Sequence, residues 1–162
     1  MKRITDYLLM LVMLLALPSC SDEDEPEYIN PEIIYGEWYI TNIKGWEYDE
    51  AVPNGMYKFN ETFNFNGAGI PVGDNIENAQ KIIISYAGVD SESAIRYLSV
   101  TNYYWSLSNK KWIDDEEGVV KFQGDQLIDG TMKVTISKLT DTTMTTYQKN
   151  EDGETYITYT RL

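Results

Sequence analysis

A two-residue alternation of apolar and polar side chains is the clearest pattern in this chain, and it predicts β-strands with one buried face. From Tyr57 to Phe65, aromatic residues take every second position except one, where Glu61 stands. Residues 132–136 alternate in the same way. Further segments are rich in the β-branched and aromatic residues that favour strands: Ile34–Trp46, Lys81–Val89, Ala94–Trp105, Val119–Phe122, Thr143–Lys149 and Glu154–Arg161.

Turn-forming pairs separate these strands, and helical periodicity is almost absent. The pairs are Asn54-Gly55, Asn66-Gly67, Asp129-Gly130 and Asp152-Gly153. Only residues 74–81 suggest a short helix. About eight strands with short links predict an all-β, antiparallel meander, and about eight is the number at which a sheet closes into a small barrel. A β-sandwich is the alternative fold, in which the chain crosses between two sheets.

The N-terminus has the features of an export signal. Lys2 and Arg3 precede an apolar stretch from Tyr7 to Leu17, which is shorter than the about 20 residues that a membrane-spanning helix needs. The tetrapeptide LPSC that ends at Cys20 resembles the lipobox of bacterial lipoproteins. The resemblance implies that residues 1–19 are removed as a signal peptide and that Cys20 receives the lipid. An ordinary cleaved signal with an incidental cysteine is the alternative.

Residues 20–31 are polar, acidic and bounded by prolines, so we predict a flexible tether between the lipid and a folded domain. Its start, Ser21–Glu25, resembles the acidic tract that sends some Gram-negative lipoproteins to the outer face of the outer membrane. The resemblance implies an outward-facing protein, anchored in the outer membrane through lipidated Cys20. Residues 32–162 then form one domain, which is long enough for its own hydrophobic core.

The composition removes much of the catalytic repertoire. The chain has no histidine and one cysteine, which excludes Ser-His-Asp and Cys-His catalytic arrangements, zinc sites built from these residues and an intrachain disulfide. The formal net charge of −13 disfavours contact with nucleic acid. We therefore predict a protein that is not an enzyme, uses no cofactor or metal and binds no nucleic acid.

Both ends of the predicted domain resemble the lipocalin barrel. The Gly-Glu-Trp sequence that ends at Trp38 is similar to the Gly-x-Trp of its first strand, and residues 132–144 resemble the penultimate hairpin of bacterial lipocalin-like lipoproteins. The last strand, which ends at Leu162, fits the same pattern. The resemblance implies a calycin-type barrel with its closed end plugged by Trp38 and with a basic residue, here Arg161, packed across the indole. It also implies a small ligand inside the barrel.

Glu61 is a candidate ligand contact because it interrupts an aromatic strand face. An unpaired buried carboxylate is costly, so Glu61 either meets a ligand inside a cavity or turns outward at a bulge or at the barrel rim.

A second group of candidates is aromatic. Tyr103, Tyr104 and Trp105 are consecutive, so one of the two tyrosines must face outward. Trp46, near the end of the first predicted strand, is placed to line a barrel mouth. Exposed Tyr and Trp side chains stack on sugars and anchor protein contacts. The alternative is an edge strand whose outer aromatic side chain lies under a loop.

The run Asp114–Glu117 concentrates carboxylates. We interpret it as a solvated hairpin loop and not as a calcium site, because consecutive side chains cannot all point at one ion.

Two functional hypotheses follow. In the first, the protein is a membrane-anchored surface lipoprotein that binds a small apolar or glycan-like ligand in its barrel. In the second, it is an interaction or accessory protein with a filled barrel, which contacts a surface protein partner through an outer face. The size of the internal cavity separates the two, since ligand sites have about 300 Å³ or more.

Overall fold

The computed structural model describes residues 30–93 and 95–162. The predicted signal peptide, Cys20 and nearly all of the predicted tether lie outside the described residues, so they stay predictions. No helix in the two described ranges is long and apolar enough to cross a membrane.

In chain order the elements are the 3₁₀-helix η1 (Pro31–Ile34), β1 (Gly36–Tyr48), β2 (Met56–Thr62), β3 (Asn64–Phe65), β4 (Pro71–Val72), the 3₁₀-helix η2 (Ile76–Asn78), β5 (Gln80–Val89), β6 (Arg96–Ser106), β7 (Lys111–Gln123), β8 (Gln126–Asp129), β9 (Met132–Leu139), β10 (Thr143–Lys149) and β11 (Gly153–Thr160).

Eight of the strands close into an antiparallel barrel. Strands β5 to β11 pair consecutively, and β1 completes the wall by pairing with β5 on one edge and with β11 on the other. This is the connectivity of a meander, in which the chain never crosses between two sheets. The prediction of an all-β, eight-stranded, lipocalin-like barrel is confirmed over the β-sandwich alternative.

Strand β2 lies outside the closed barrel. It shares one edge of β1 with β5, because β2 pairs with residues 42–48 of β1 and β5 pairs with residues 36–39. Residues 63–79, which connect β2 to β5, leave the wall and contain the small β3–β4 hairpin. The prediction of one continuous strand from Tyr57 to Phe65 is therefore wrong. The predicted helix over residues 74–81 is reduced to η2, because β5 already begins at Gln80.

The acidic run Asp114–Glu117 lies within β7, so its interpretation as a hairpin loop is wrong. On β6, Asn102 and Tyr103 pair with Glu116 and Asp114, which leaves Asp115 as the extra residue of a β-bulge. All of these carboxylates are exposed. A strand tolerates them because water solvates each charge and no burial cost arises.

One end of the barrel is closed by apolar side chains. Trp38 is fully buried there, together with Ile34 of η1, Leu98 and Met144. The indole Nε1 of Trp38 donates a hydrogen bond to the backbone oxygen of Ile34 at 2.8 Å. This bond holds η1 against the closed end and satisfies the only polar atom of the buried indole.

Candidate functional site

The barrel encloses a cavity of about 300 Å³. Its lining comes from all seven strands between β5 and β11, because every second residue of a barrel strand points inward. Most of the lining is aliphatic. The aliphatic part includes Ile82, Ile84, Val100, Val120, Leu127 and Val134.

Three polar side chains lie at the end of the cavity that is away from Trp38. Asn102 and Glu116 are register partners on β6 and β7, and Asp129 immediately precedes the β8–β9 turn. Both carboxylates are exposed to solvent. Among the described residues, no lysine or arginine lines the cavity. The arrangement can hold an apolar body, and its entrance favours a neutral or positively charged head group.

Gly118 on β7 leaves part of this cavity open. A Cβ atom at this position would meet no heavy atom within 4 Å, and Gly118 faces Val100 across the β6–β7 register. Its φ is not in the positive region where only glycine is comfortable. A large side chain at position 118 would therefore enter the cavity without straining the backbone.

The closed end has the geometry that the lipocalin resemblance implies. The guanidinium carbon of Arg161 lies 4.1 Å from the centroid of the Trp38 ring. The same guanidinium donates hydrogen bonds to the backbone oxygens of Ile33 and Tyr35, and to that of Asp141 at 3.2 Å. Arg161 therefore joins the C-terminus to η1 and to the β9–β10 turn, which is a structural role.

The backbone conformation at Gly36 explains why the Gly-x-Trp sequence begins with glycine. Its φ is 129°, a conformation that residues with a side chain rarely adopt. A Cβ atom at this position would lie 3.5 Å from the Arg161 guanidinium. The requirement for glycine therefore comes from the backbone turn into β1, since a Cβ at this distance would make only an ordinary van der Waals contact with Arg161.

Two of the predicted ligand contacts lie away from the cavity. Glu61 is on β2, outside the closed barrel, and its side chain is exposed. Trp46 is on the half of β1 that pairs with β2 and β11, and strand alternation places it on the outer face with Lys44. Neither residue lines the barrel interior.

The three consecutive aromatic candidates also do not line the cavity. Tyr103 pairs with Lys81 on the outer face of the wall, whereas Tyr104 is 42% exposed near the end of β6. Trp105 is only 8% exposed, because residues 63–79 fold over this part of the wall. Its indole packs edge-on against that of Trp112, with 5.4 Å between the ring centroids. Binding by any of these side chains stays a prediction.

An unexpected cluster on the outer face surrounds Lys81, which is only 9% exposed. Its ammonium lies 5.1 Å from the ring centroids of Tyr103 and Trp112 and 5.6 Å from that of Tyr39. It also forms an ion pair with Glu37. The aromatic faces and the carboxylate together replace the water that a buried ammonium loses.

The ionisable groups of this cluster influence one another. Burial raises the pKa of Glu37, but hydrogen bonds with Lys81 and Tyr39 and the charge of Lys81 outweigh it, so the pKa is lower than usual. Burial, followed by the hydrogen bond and the charge of Glu37, raises the pKa of Tyr39 to about 12. At neutral pH the cluster therefore contains an ionised Glu37 and a neutral Tyr39. It also contacts residues 63–79, because Tyr39 packs against Phe65 and Trp112 donates a hydrogen bond to the backbone oxygen of Gly69.

Sequence reasoning misses the polar residues at the cavity entrance, Asn102, Glu116 and Asp129. A two-residue alternation starting at buried Leu98 would have placed Asn102 on the inner face. No comparable signal exists for Glu116, because the bulge at Asp115 decides which carboxylate of the acidic run faces inward.

Within the described parts of the chain, no cluster of three or more His, Cys, Asp or Glu side chains is arranged to hold a metal ion. No protein-family model, curated protein or solved structure matches this chain.

Proposed function

We propose that this protein is an outward-facing lipoprotein, anchored in an outer membrane through Cys20, whose barrel binds a small apolar molecule with a neutral or cationic head group. The observation that carries the proposal is the cavity of about 300 Å³, which has an aliphatic interior and carboxylates only at its entrance. This volume is at the lower end of the range for small-molecule sites. The ligand is therefore small.

The charge at the entrance supports the choice of head group. Glu116 and Asp129 are the only charged side chains that line the cavity among the described residues. They attract a cationic group and repel a carboxylate or phosphate. An amine or an alcohol with an aliphatic body fits this arrangement better than a fatty acid of the same length.

Support for the membrane anchor comes from the sequence. The short apolar stretch, the lipobox-like tetrapeptide and the single cysteine follow one another in the order of a lipoprotein signal. Stable attachment needs two or more acyl chains, since each buried methylene contributes about 0.8 kcal/mol. The acidic residues after Cys20 support the outward orientation.

The second candidate function, an accessory protein that works through its outer face, is supported by exposed aromatic side chains. Tyr48 is 60% exposed and Tyr86 is 57% exposed. Exposed tyrosines of this kind frequently anchor protein–protein contacts.

Native mass spectrometry of the full chain tests the first function against the second. We would add octylamine, octanol and octanoate separately at equal concentration and measure the fraction of protein that retains each one. We expect retention to decrease in the order amine, alcohol, acid. Substitution of both carboxylates, Glu116→Gln with Asp129→Asn, should remove the preference for the amine and leave the alcohol bound.

A pair of glycine variants locates the binding. Gly118→Leu fills the cavity and should abolish retention, whereas Gly67→Leu is a matched control, because a Cβ at Gly67 also meets no atom within 4 Å but lies outside the barrel. Failure of the wild-type chain to retain any of the three compounds, or equal retention by Gly118→Leu, would exclude the cavity as the site and favour the accessory function.

A further inference from the structure

A shallow groove of about 440 Å³ lies on the outside of the barrel, separate from the internal cavity. It is formed where β11, β1 and β2 run side by side, and we call it the outer groove. Strand pairing places Lys44 opposite Tyr156 and Asn60, and Trp46 opposite Lys58. These side chains share the outer face, and Gly45 and Phe59 complete the lining.

The wall around the outer groove is basic, although the chain as a whole has a formal net charge of −13. Strand alternation places five lysines but only two carboxylates on the outer face of β9, β10, β11, β1 and β2: Glu37, which is paired with Lys81 at the far end of β1, and Glu154. Among the described residues, none of these five lysines forms an ion pair. The lysines are Lys44, Lys58, Lys133, Lys138 and Lys149.

Aromatic rings lie between the lysines. The rings of Tyr156 and Tyr147 pack with their centroids 4.7 Å apart and their planes inclined by 32°. The ammonium of Lys44 lies 5.7 Å from the Tyr156 ring centroid. Trp46 and Tyr156 are partly exposed, so each offers ring surface to a ligand while its position in the sheet stays fixed.

We propose that the outer groove binds an acidic oligosaccharide, a chain of sugar rings that carry carboxylate or sulfate groups. The aromatic surfaces of Trp46 and Tyr156 stack against the apolar faces of the sugar rings. Lys44 and Lys58 are diagonal neighbours across the β1–β2 pair, about 7–8 Å apart at their backbones. They therefore pair with anionic groups on either side of a stacked ring.

The shape of the groove favours a saccharide over an anionic membrane surface. Membrane-binding aromatic residues project from a surface in order to enter the lipid, whereas Trp46 and Tyr156 form part of a groove wall. The charge pattern also excludes a basic partner for this face, because the lysines would repel it.

The test is calorimetric titration of the full chain, kept in a non-ionic detergent, with a hexamer of galacturonic acid. The same hexamer with methyl-esterified carboxylates is the neutral control. We expect the acidic hexamer to bind and its affinity to fall as salt is raised, because exposed charges are screened. The methyl ester should bind at least about tenfold more weakly, which corresponds to about 1.4 kcal/mol.

Matched variants assign the site. Lys44→Gln with Lys58→Gln, and separately Trp46→Ala, should each weaken binding at least about tenfold. The control is Lys110→Gln with Lys111→Gln, which removes the same charge from the β6–β7 hairpin on a different part of the wall and should leave affinity within about twofold. Near-ultraviolet circular dichroism should show native packing in every variant. Retained octylamine in the mass-spectrometric assay would show that the barrel cavity is intact.

Three results would overturn the proposal. The first is absence of heat with the acidic hexamer at millimolar concentration, and the second is equal weakening by the Lys110 and Lys111 control. The third is binding to vesicles of anionic phospholipid, lost in the Lys44 and Lys58 variant, without saccharide binding, which would assign the face to a membrane. None of these results concerns the internal cavity, so the proposed barrel ligand is tested independently by the mass-spectrometric assay.

Discussion

Arg161 lies across the face of Trp38, with 4.1 Å between its guanidinium carbon and the indole centroid. The contact joins residues that are far apart in sequence, one at the start of β1 and one after the end of β11. It seals the closed end of the barrel, at the end of the cavity that lies away from Glu116 and Asp129. The first and last strands of the barrel, β1 and β11, are therefore held together at the closed end of the structure that contains the cavity.

Removal of the Arg161 side chain should destabilise the fold. Arg161→Ala loses a cation–π contact of about 0.5–2 kcal/mol and charge-assisted hydrogen bonds to the oxygens of Ile33, Tyr35 and Asp141. We expect the free energy of unfolding, measured by urea titration, to decrease by about 2–4 kcal/mol. The free energy of unfolding of Arg161→Lys should lie between those of Arg161→Ala and the wild type, because lysine keeps the positive charge but lacks the planar guanidinium with its several hydrogen-bond donors. A change below about 0.5 kcal/mol in Arg161→Ala would contradict the plug role.

Gly69 should tolerate no side chain. Its φ is 70°, and a Cβ would lie 2.2 Å from the Tyr39 hydroxyl oxygen, while its own carbonyl oxygen accepts a hydrogen bond from Trp112 at 3.1 Å. We expect Gly69→Ala to lower the free energy of unfolding by about 2 kcal/mol or more, from backbone strain and the steric clash. Gly67→Ala, two residues away, is the control. Its Cβ meets nothing within 4 Å and its φ is not positive, so thermal unfolding midpoints that fall equally in both variants would contradict the role of Gly69.

Stability should decrease at alkaline pH in a way that depends on Tyr39. Its pKa in the folded protein is raised from 10.0 to about 12 by burial and then by Glu37. Between these values the unfolded chain releases a proton that the folded chain keeps, so the stabilisation is fully present below pH 10 and is lost as pH rises toward 12. Urea midpoints measured from pH 8 to pH 11.5 should fall less steeply in Tyr39→Phe. Tyr159, whose pKa is also raised by burial, contributes to the loss of stability at alkaline pH in both the wild type and Tyr39→Phe. Equal slopes of urea midpoint against pH in the two proteins would refute the prediction.

Lipid attachment should depend on Cys20 alone. Cells that express the chain and are fed a fatty-acid analogue with an alkyne group should incorporate the label, because the lipobox-like tetrapeptide ends at this residue. Cys20→Ala should carry no label and should leave the membrane fraction. Label on Cys20→Ala, or none on the wild-type chain, would favour an ordinary secretion signal over a lipoprotein signal.

Much of the wall could be predicted from local patterns. The predicted strand Thr143–Lys149 has the observed bounds, and Lys81–Val89 differs from β5 by one residue. Alternation is a local property, so these strands are visible in the sequence. The hairpin β8–β9 around Asp129-Gly130 was signalled by its turn, although β8 itself was too short to identify.

The candidate site was less predictable, because it depends on register and on bulges. The acidic run Asp114–Glu117 looked like a loop, and only the bulge at Asp115 sends the Glu116 side chain to the cavity entrance. The alternation leaves open whether Glu61 faces a cavity or the solvent, and only the structure shows that β2 lies outside the closed barrel and that this side chain is exposed. The burial of Lys81 under three rings has no local signal, since those rings come from β1, β6 and β7.

The sequence by itself determined the strand-rich composition and the lack of histidine, and it favoured a barrel over a sandwich, because these follow from residue type and two-residue periodicity. Tertiary structure alone decided that the barrel is not filled and which side chains reach its interior. It also decided that five lysines share one outer wall of an acidic protein. Strand register sets all three, and register arises from pairing between segments distant in the chain, where a shift of one residue moves every side chain to the opposite face.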